Sequence, residues 1–329
     1  MLMGASSSCV KLFDRNGSQV REYGKGDSYI RDLKHTTGHV AGISTALWLP
    51  NDIDRFLTAS EDGTLRIWHI GYRQKSEHFI AVKSSIAGSG GRAAVTSAEF
   101  CEEILLTGSL DGSLKLWDTR SLIGNSSSYP IGHVTKAHNF GDKISSLAFS
   151  PTNLNNFASR STDGTVKLWD KRNLTEPVND YKDLPTIHGE TSVIFVRDKI
   201  LTGTSTGFSI LDSNNSKIRR NISRSSAVVT LAWNERTEQI LMGGSDGKIE
   251  VLYDSEMGNG KGVLLMKESA AGSRVDGEVD ISAGEIYNSS GTGLYDNSRI
   301  SVRAPSKRKL DKIRSDPIKT HRPELPSYG

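Results

Sequence analysis

The stretches FLTASEDGTLRIWHI (56–70), LLTGSLDGSLKLWDT (105–119) and FASRSTDGTVKLWDK (157–171) are copies of one pattern. Each runs an apolar strand into a tight polar turn and out through a second strand ending at a tryptophan. ILMGGSDGKIEVLYD (240–254) is a fourth copy, ILTGTSTGFSILD (200–212) a degenerate fifth and LMGASSSCVKLFD (2–14) a partial relative. Trp68, Trp117 and Trp169 stand 49 and 52 residues apart. A period of about 40–50 residues with strand chemistry predicts the four-stranded blades of a β-propeller and excludes shorter helical repeats. The Asp-Gly pairs at 62–63, 111–112, 163–164 and 246–247 are hairpin turns, because glycine reaches positive φ at little steric cost.

Working outward, a first strand precedes each turn: 43–49, 95–100, 144–150, 191–196 and 228–234. Outer strands follow, as at 77–82 and 263–267. The expected architecture is all-β: five complete four-stranded blades and a partial N-terminal blade. Residues 1–34 form the partial blade (strands b, c and d) and a linker, and 35–267 the five blades. Residues 268–300 are a loop or disordered segment with a closing-strand candidate at 286–296, and 301–329 a basic tail. The partial blade lacks a first strand. Strained six-blade closure, a longer protein shortened at its N-terminus, and a strand from another chain each account for it, and the second is favoured.

No run of 18 apolar residues exists, so no membrane-spanning helix is expected. Two cysteines, Cys9 and Cys101, make no disulfide framework. The net charge of +3 is unevenly placed, for residues 301–322 alone carry eight basic and two acidic side chains. Lys307, Arg308, Lys309, Lys312, Arg314, Lys319 and Arg322 suit a nuclear-import signal or a weak phosphate or nucleic-acid contact. Without stacking aromatics there, sequence-specific RNA reading is not expected.

Three segments carry a resemblance beyond the generic WD40 repeat. GDSYIRDLKHTTGH (26–39) resembles the linker before the third blade of the gastrulation-defective / WD repeat-containing protein 70 family. ASRSTDGTVKLWDKRNLTEPV (158–178) is similar to its fifth blade, and KLDKIRSDPIKTHRPELP (309–326) to its basic tail. The resemblance implies a seven-blade WD40 propeller behind an acidic N-terminal region, here without counterpart. It also implies a nuclear protein associated with cullin-4-type ubiquitin ligases, the DNA-damage response and spliceosomal assemblies.

Two WD-x-R boxes, Trp117 to Arg120 and Trp169 to Arg172, are the candidate partner-binding sites, with Asp118, Arg120, Asp170 and Arg172 as the residues concerned. Many cullin-4 substrate receptors dock on the ligase adaptor through such boxes, and the planar arginine fork suits paired recognition of carboxylates or carbonyls. The bland reading makes the aspartate a strand end and the arginine a solvated loop residue. Inside the blades, His39, Ser60, Asp62 and Trp68 are expected to form one hydrogen-bonded network and His138, Ser161, Asp163 and Trp169 another. Asp111 and Trp117 lack a matching histidine, and Asp246 closes the last hairpin. Arg160, in a strand where relatives of the repeat have Gly or Ser, is expected to face a central channel or pair with a carboxylate.

No phosphate-binding loop, nucleophile elbow, dinucleotide fingerprint or zinc spacing occurs, so no catalytic residue, metal or cofactor and no small-molecule substrate is expected. Three functions compete. The first is a nuclear, non-enzymatic scaffold, present in the cytoplasm as well, that acts as receptor or adaptor of a cullin-4-type ubiquitin ligase in the DNA-damage response. The second is a structural component of a spliceosomal or other RNA-processing particle. The third is a non-functional fragment of a truncated gene. The partners expected are proteins: the ligase adaptor, splicing factors or chromatin-associated proteins.

Overall fold

In a computed structural model, the structure describes residues 2–4, 8–14, 16–30, 33, 35–72, 74–84, 91–122, 129–139, 141–186, 190–213, 218–235 and 238–253. The expected strand at 263–267, the closing-strand candidate at 286–296 and the tail at 301–329 lie outside the described residues. The chain divides into two compact units, one of residues 1–233 with 240–250, the other of 234–239 with 251–329.

The described strands form six antiparallel sheets in chain order. Sheet one has three strands, Leu2–Gly4, Val10–Phe13 and Gln19–Glu22. Sheets two to five each have four strands and begin at Ile43–Leu49, Val95–Cys101, Ile144–Phe149 and Val193–Val196. Sheet six has three described strands, Val228–Asn234, Gln239–Gly244 and Ile249–Tyr253. This is the WD40 propeller pattern of blade-like sheets, with the partial first sheet in the place the repeat gives it. The outer strands Gly132–Val134 and Asn179–Tyr181 are only three residues long. One helical turn, Thr119–Leu122, interrupts the all-β pattern.

Strand alternation explains how the sheets bury their faces. Neighbouring residues point to opposite sides of a sheet, so consecutive apolar pairs serve two interfaces. Leu105 packs with Leu57, Ile67 and Val95, between sheets two and three. Leu106, the next residue, packs with Leu147, Phe157 and Trp169, between sheets three and four. Phe157 shares that interface, while Ala158 joins Phe195, Ile200 and Leu211 on the other side of sheet four. Each tryptophan therefore covers the face toward the preceding sheet. Phe56 stacks on Trp68 with ring centroids 6.3 Å apart, and Phe157 on Trp169 at 6.4 Å. Leu211 takes the tryptophan's place in sheet five, which is why that copy looks degenerate.

Glycine appears where backbones meet. A Cβ on Gly203 would stand 2.1 Å from the carbonyl oxygen of Val228. Gly203→Ala must push these two strands apart, and is expected to cost about 3 kcal/mol in a urea melt, the upper part of the range for overpacking. Gly141→Ala meets no atom within 4 Å. It should cost only the strain of its positive φ, about 1 kcal/mol.

Candidate functional site

The sheets carry two kinds of polar feature, one buried and one exposed. The buried one starts from the third residue of each quoted repeat. Thr58 Oγ1 accepts the Trp68 indole N–H at 2.8 Å and lies 2.7 Å from His39 Nε2. His39 Nδ1 lies 3.0 Å from Asp62 Oδ2, and the same carboxylate accepts the Val40 amide at 3.1 Å. Consistent donor assignment follows: the indole donates to Thr58, Thr58 to Nε2, and Nδ1–H to Asp62. Sheet four repeats this with Trp169, Ser159, His138 and Asp163 at 3.0, 2.7 and 3.2 Å.

The hydroxyl in the network is thus Thr58 or Ser159, not the expected Ser60 or Ser161. The indole nitrogen of Trp68 hydrogen-bonds two residues short of Ser60. Ser60 sits at the hairpin itself, donating to the Gly42 carbonyl at 2.8 Å and accepting the Asp62 amide at 3.2 Å. Ser161 accepts the Asp163 amide at 3.3 Å. Thr58→Val orphans both the indole N–H and His39 Nε2 and is expected to cost about 2 kcal/mol. Ser60→Ala should cost about 1 kcal/mol, and chemical denaturation of the two variants reads the difference.

Sheet three keeps the Trp117 to Thr107 bond at 3.0 Å. There Lys115 Nζ donates to Ser113 Oγ at 3.0 Å, which in turn donates to Asp111 at 2.6 Å. Asp246 in sheet six is exposed and among the described residues pairs only locally, its Oδ2 3.2 Å from Lys248 Nζ. Met242 holds the hydroxyl's place there.

Burial lowers the His39 and His138 pKa values below the ordinary histidine range, the Asp62 and Asp163 contacts offsetting this only in part. For Asp62, burial acts upward. The hydrogen bonds from His39 and Thr64 and the Val40 amide outweigh it and hold the carboxyl at about 2. Asp163 is lowered in the same way. Glu99, in the first strand of sheet three opposite Leu106, has the reverse fate, with burial pushing it to about 7.

Two buried guanidinium groups tie chain segments together, among the described residues without a carboxylate at hydrogen-bond distance. Arg66 Nη1 donates to the Thr36 carbonyl at 3.2 Å and to Ser76 Oγ at 2.9 Å, while Nη2 donates to the Leu33 carbonyl at 2.6 Å. It anchors the linker that leads into His39. Arg160 donates to Thr191 Oγ1 at 3.1 Å and to the Leu184 carbonyl. Its partners are a hydroxyl and a carbonyl of the segment entering sheet five, not the expected carboxylate. Burial lowers both arginines to about 10.

The exposed feature is the pair of WD-x-R boxes. Asp118 accepts the Arg120 amide at 2.9 Å and holds its guanidinium at both oxygens, 3.1 and 3.0 Å. Asp170 does the same for Arg172 at 2.9, 3.1 and 2.7 Å. The two boxes have one geometry although Arg120 stands on a helical turn and Arg172 does not. Both arginines stay largely exposed, at 71% and 68% of the side chain. The arginine hydrogen bonds lower both aspartates. Arg120 also reaches Glu103 at 3.1 Å. The basic residues Lys307 to Arg322 lie outside the described residues. Among the described residues, no group of three or more His, Cys, Asp or Glu side chains is placed to hold a metal ion.

Residues 30–69, 83–118 and 130–170 match the family described as WD domain, G-beta repeat. The gastrulation defective protein 1 homolog of Drosophila melanogaster is 30% identical over 338 residues, covering 99% of this chain and 50% of that protein. The WD repeat-containing protein 70 of Xenopus tropicalis is 28% identical, covering 100% and 53%. An uncharacterized WD repeat-containing protein of Schizosaccharomyces pombe is 29% identical, covering 95% and 58%. The chain thus spans about half the length of these curated relatives. The crystal structure of a computationally designed protein, Ika8, aligns with a TM-score of 0.52 at 20% identity, covering 77% of this chain and 67% of that one, a likeness of fold alone. The chain carries WD40 repeats and is similar along its whole length to proteins of the gastrulation-defective / WD repeat-containing protein 70 family.

Proposed function

We propose that this chain is a protein-interaction scaffold that works in the nucleus as a receptor or adaptor of a cullin-4-type ubiquitin ligase linked to the DNA-damage response, docking through Arg120 and Arg172. The single observation that carries the reading is the repeated geometry of the two boxes on consecutive sheets. Each arginine is braced by its own aspartate and yet exposed. A braced guanidinium loses less side-chain freedom when it meets a partner.

The test is native purification of the tagged full chain from nuclear extract, followed by identification of bound proteins. A prominent ligase adaptor supports the reading. Splicing factors without the adaptor favour the second reading, a component of an RNA-processing particle, for which the charge of segment 301–322 is the supporting observation. A cooperative melt of the isolated chain counts against a non-functional fragment.

A further inference from the structure

A cavity of about 590 Å³ opens beside the first WD-x-R box. Ile104 and Ile131 line it, together with Glu102, Glu103, Asp118 and Arg120, and Asn51 joins them from the first turn of sheet two. Three carboxylates thus meet one guanidinium. That guanidinium is already engaged, by Asp118 at 3.0 Å and Glu103 at 3.1 Å. Glu102, exposed at the tip of its hairpin, has no ion-pair partner among the described residues.

We propose that this cavity accepts a lysine or arginine side chain of a partner protein, with its aliphatic stem on Ile104 and Ile131 and its cation on Glu102. The inference rests on the docking reading above only for the claim that the partner is a protein. Charge decides the sign of the occupant. An anion entering here would meet Glu102 unpaired and would have to break a two-point arginine pair to find a cation, whereas a cation gains Glu102 without disturbing anything. Shape decides its length. Ile131 is 61% exposed, an uncovered apolar wall of the kind along which long basic side chains lay their methylenes while keeping their charge in water. The volume lies within the range of ordinary binding pockets. A divalent cation is a poor fit, because Asp118 and Glu103 have oxygens committed to Arg120.

The experiment uses the full 329-residue chain labelled at isoleucine methyl groups, with Ile104 and Ile131 assigned by Ile→Val replacement. It is titrated with N-acetyl-arginine methylamide, with the lysine analogue, and with the neutral norleucine analogue. The expected result is a saturable shift of both methyls with the cationic probes and none with the neutral one. Glu102→Gln should raise the midpoint about tenfold, as expected for loss of a hydrogen bond to a charged group. Absence of a saturable shift, an equal shift with the neutral probe, or insensitivity to Glu102→Gln overturns the proposal. So does movement of these methyls, without probe, on replacing Lys307, Arg308 and Lys309 by Gln, for that would make the chain's own tail the occupant. Because no adaptor is present, failure here leaves the ligase reading standing, and failure of the adaptor experiment leaves this one standing.

Discussion

Asp62→Ala is expected to destabilise the chain by about 3 kcal/mol, the range for removing one partner from a buried charged pair. The aspartate side chain is 4% exposed and its partner His39 is fully buried. Removing the carboxylate strands the His39 Nδ1–H, the Val40 amide and the Thr64 hydroxyl and amide together. Asp246 occupies the matching place in the last Asp-Gly hairpin, and Asp246→Ala should leave the urea midpoint unmoved, since among the described residues only Lys248 pairs with that carboxylate. The pair of variants separates the local turn preference, which both sites share, from the histidine network, which only Asp62 serves. A His39→Ala, Asp62→Ala cycle should show strong non-additivity.

The second large effect is acid unfolding. His39 and His138 have folded pKa values below 6.5, so as pH falls below 6.5 the unfolded chain binds protons first and stability declines. Asp62 titrates at about 2 in the fold against 3.8 otherwise, which is stability present above pH 3.8 and lost as pH falls toward 2. That one group contributes roughly 2 kcal/mol, and Asp163 acts in the same direction. Glu99 opposes them. Its folded value of about 7 lies above 4.5, so the fold binds its proton first, and stability rises as pH falls from 7 to 4.5. The expected profile declines below pH 6.5, where two histidines outweigh one glutamate, and declines further below 4 as the aspartates add to them. Glu99→Gln should raise the melting temperature at pH 8 and leave it unchanged at pH 4. A profile that stays flat or rises from pH 6.5 to 4.5, or a Glu99→Gln effect independent of pH, contradicts the assignment.

The repeat made much of the fold legible. The first strands expected at 43–49 and 228–234 have those bounds in the structure. Gly63, Gly112, Gly164 and Gly247 all adopt positive φ at the expected hairpins. The outer strands Gly132–Val134 and Asn179–Tyr181 were hard to read because three residues of mixed polarity show no alternation. Ser60 stood in for Thr58 in the sequence reading because both lie on one face of the strand, two residues apart. A signal did exist: Thr58, Thr107, Ser159 and Thr202 hold one place in four copies of the repeat. Arg66 left no such trace, since its contacts depend on how the linker at 33–36 folds back. The same holds for the cavity by Arg120, which needs Asn51 from one sheet and Glu102 from the next. For the boxes, the sequence showed Asp and Arg two residues apart but not that each arginine is clasped by its own aspartate.

The central claim is that Arg120 and Arg172 form a docking face, and calorimetric titration of the purified ligase adaptor into the full chain tests it most directly. The account predicts measurable binding that weakens about a hundredfold in the Arg120→Ala, Arg172→Ala variant, as for loss of two hot-spot arginines, with an unaltered melting temperature. Equal affinity of the variant and the parent chain, or no binding by either, would contradict it.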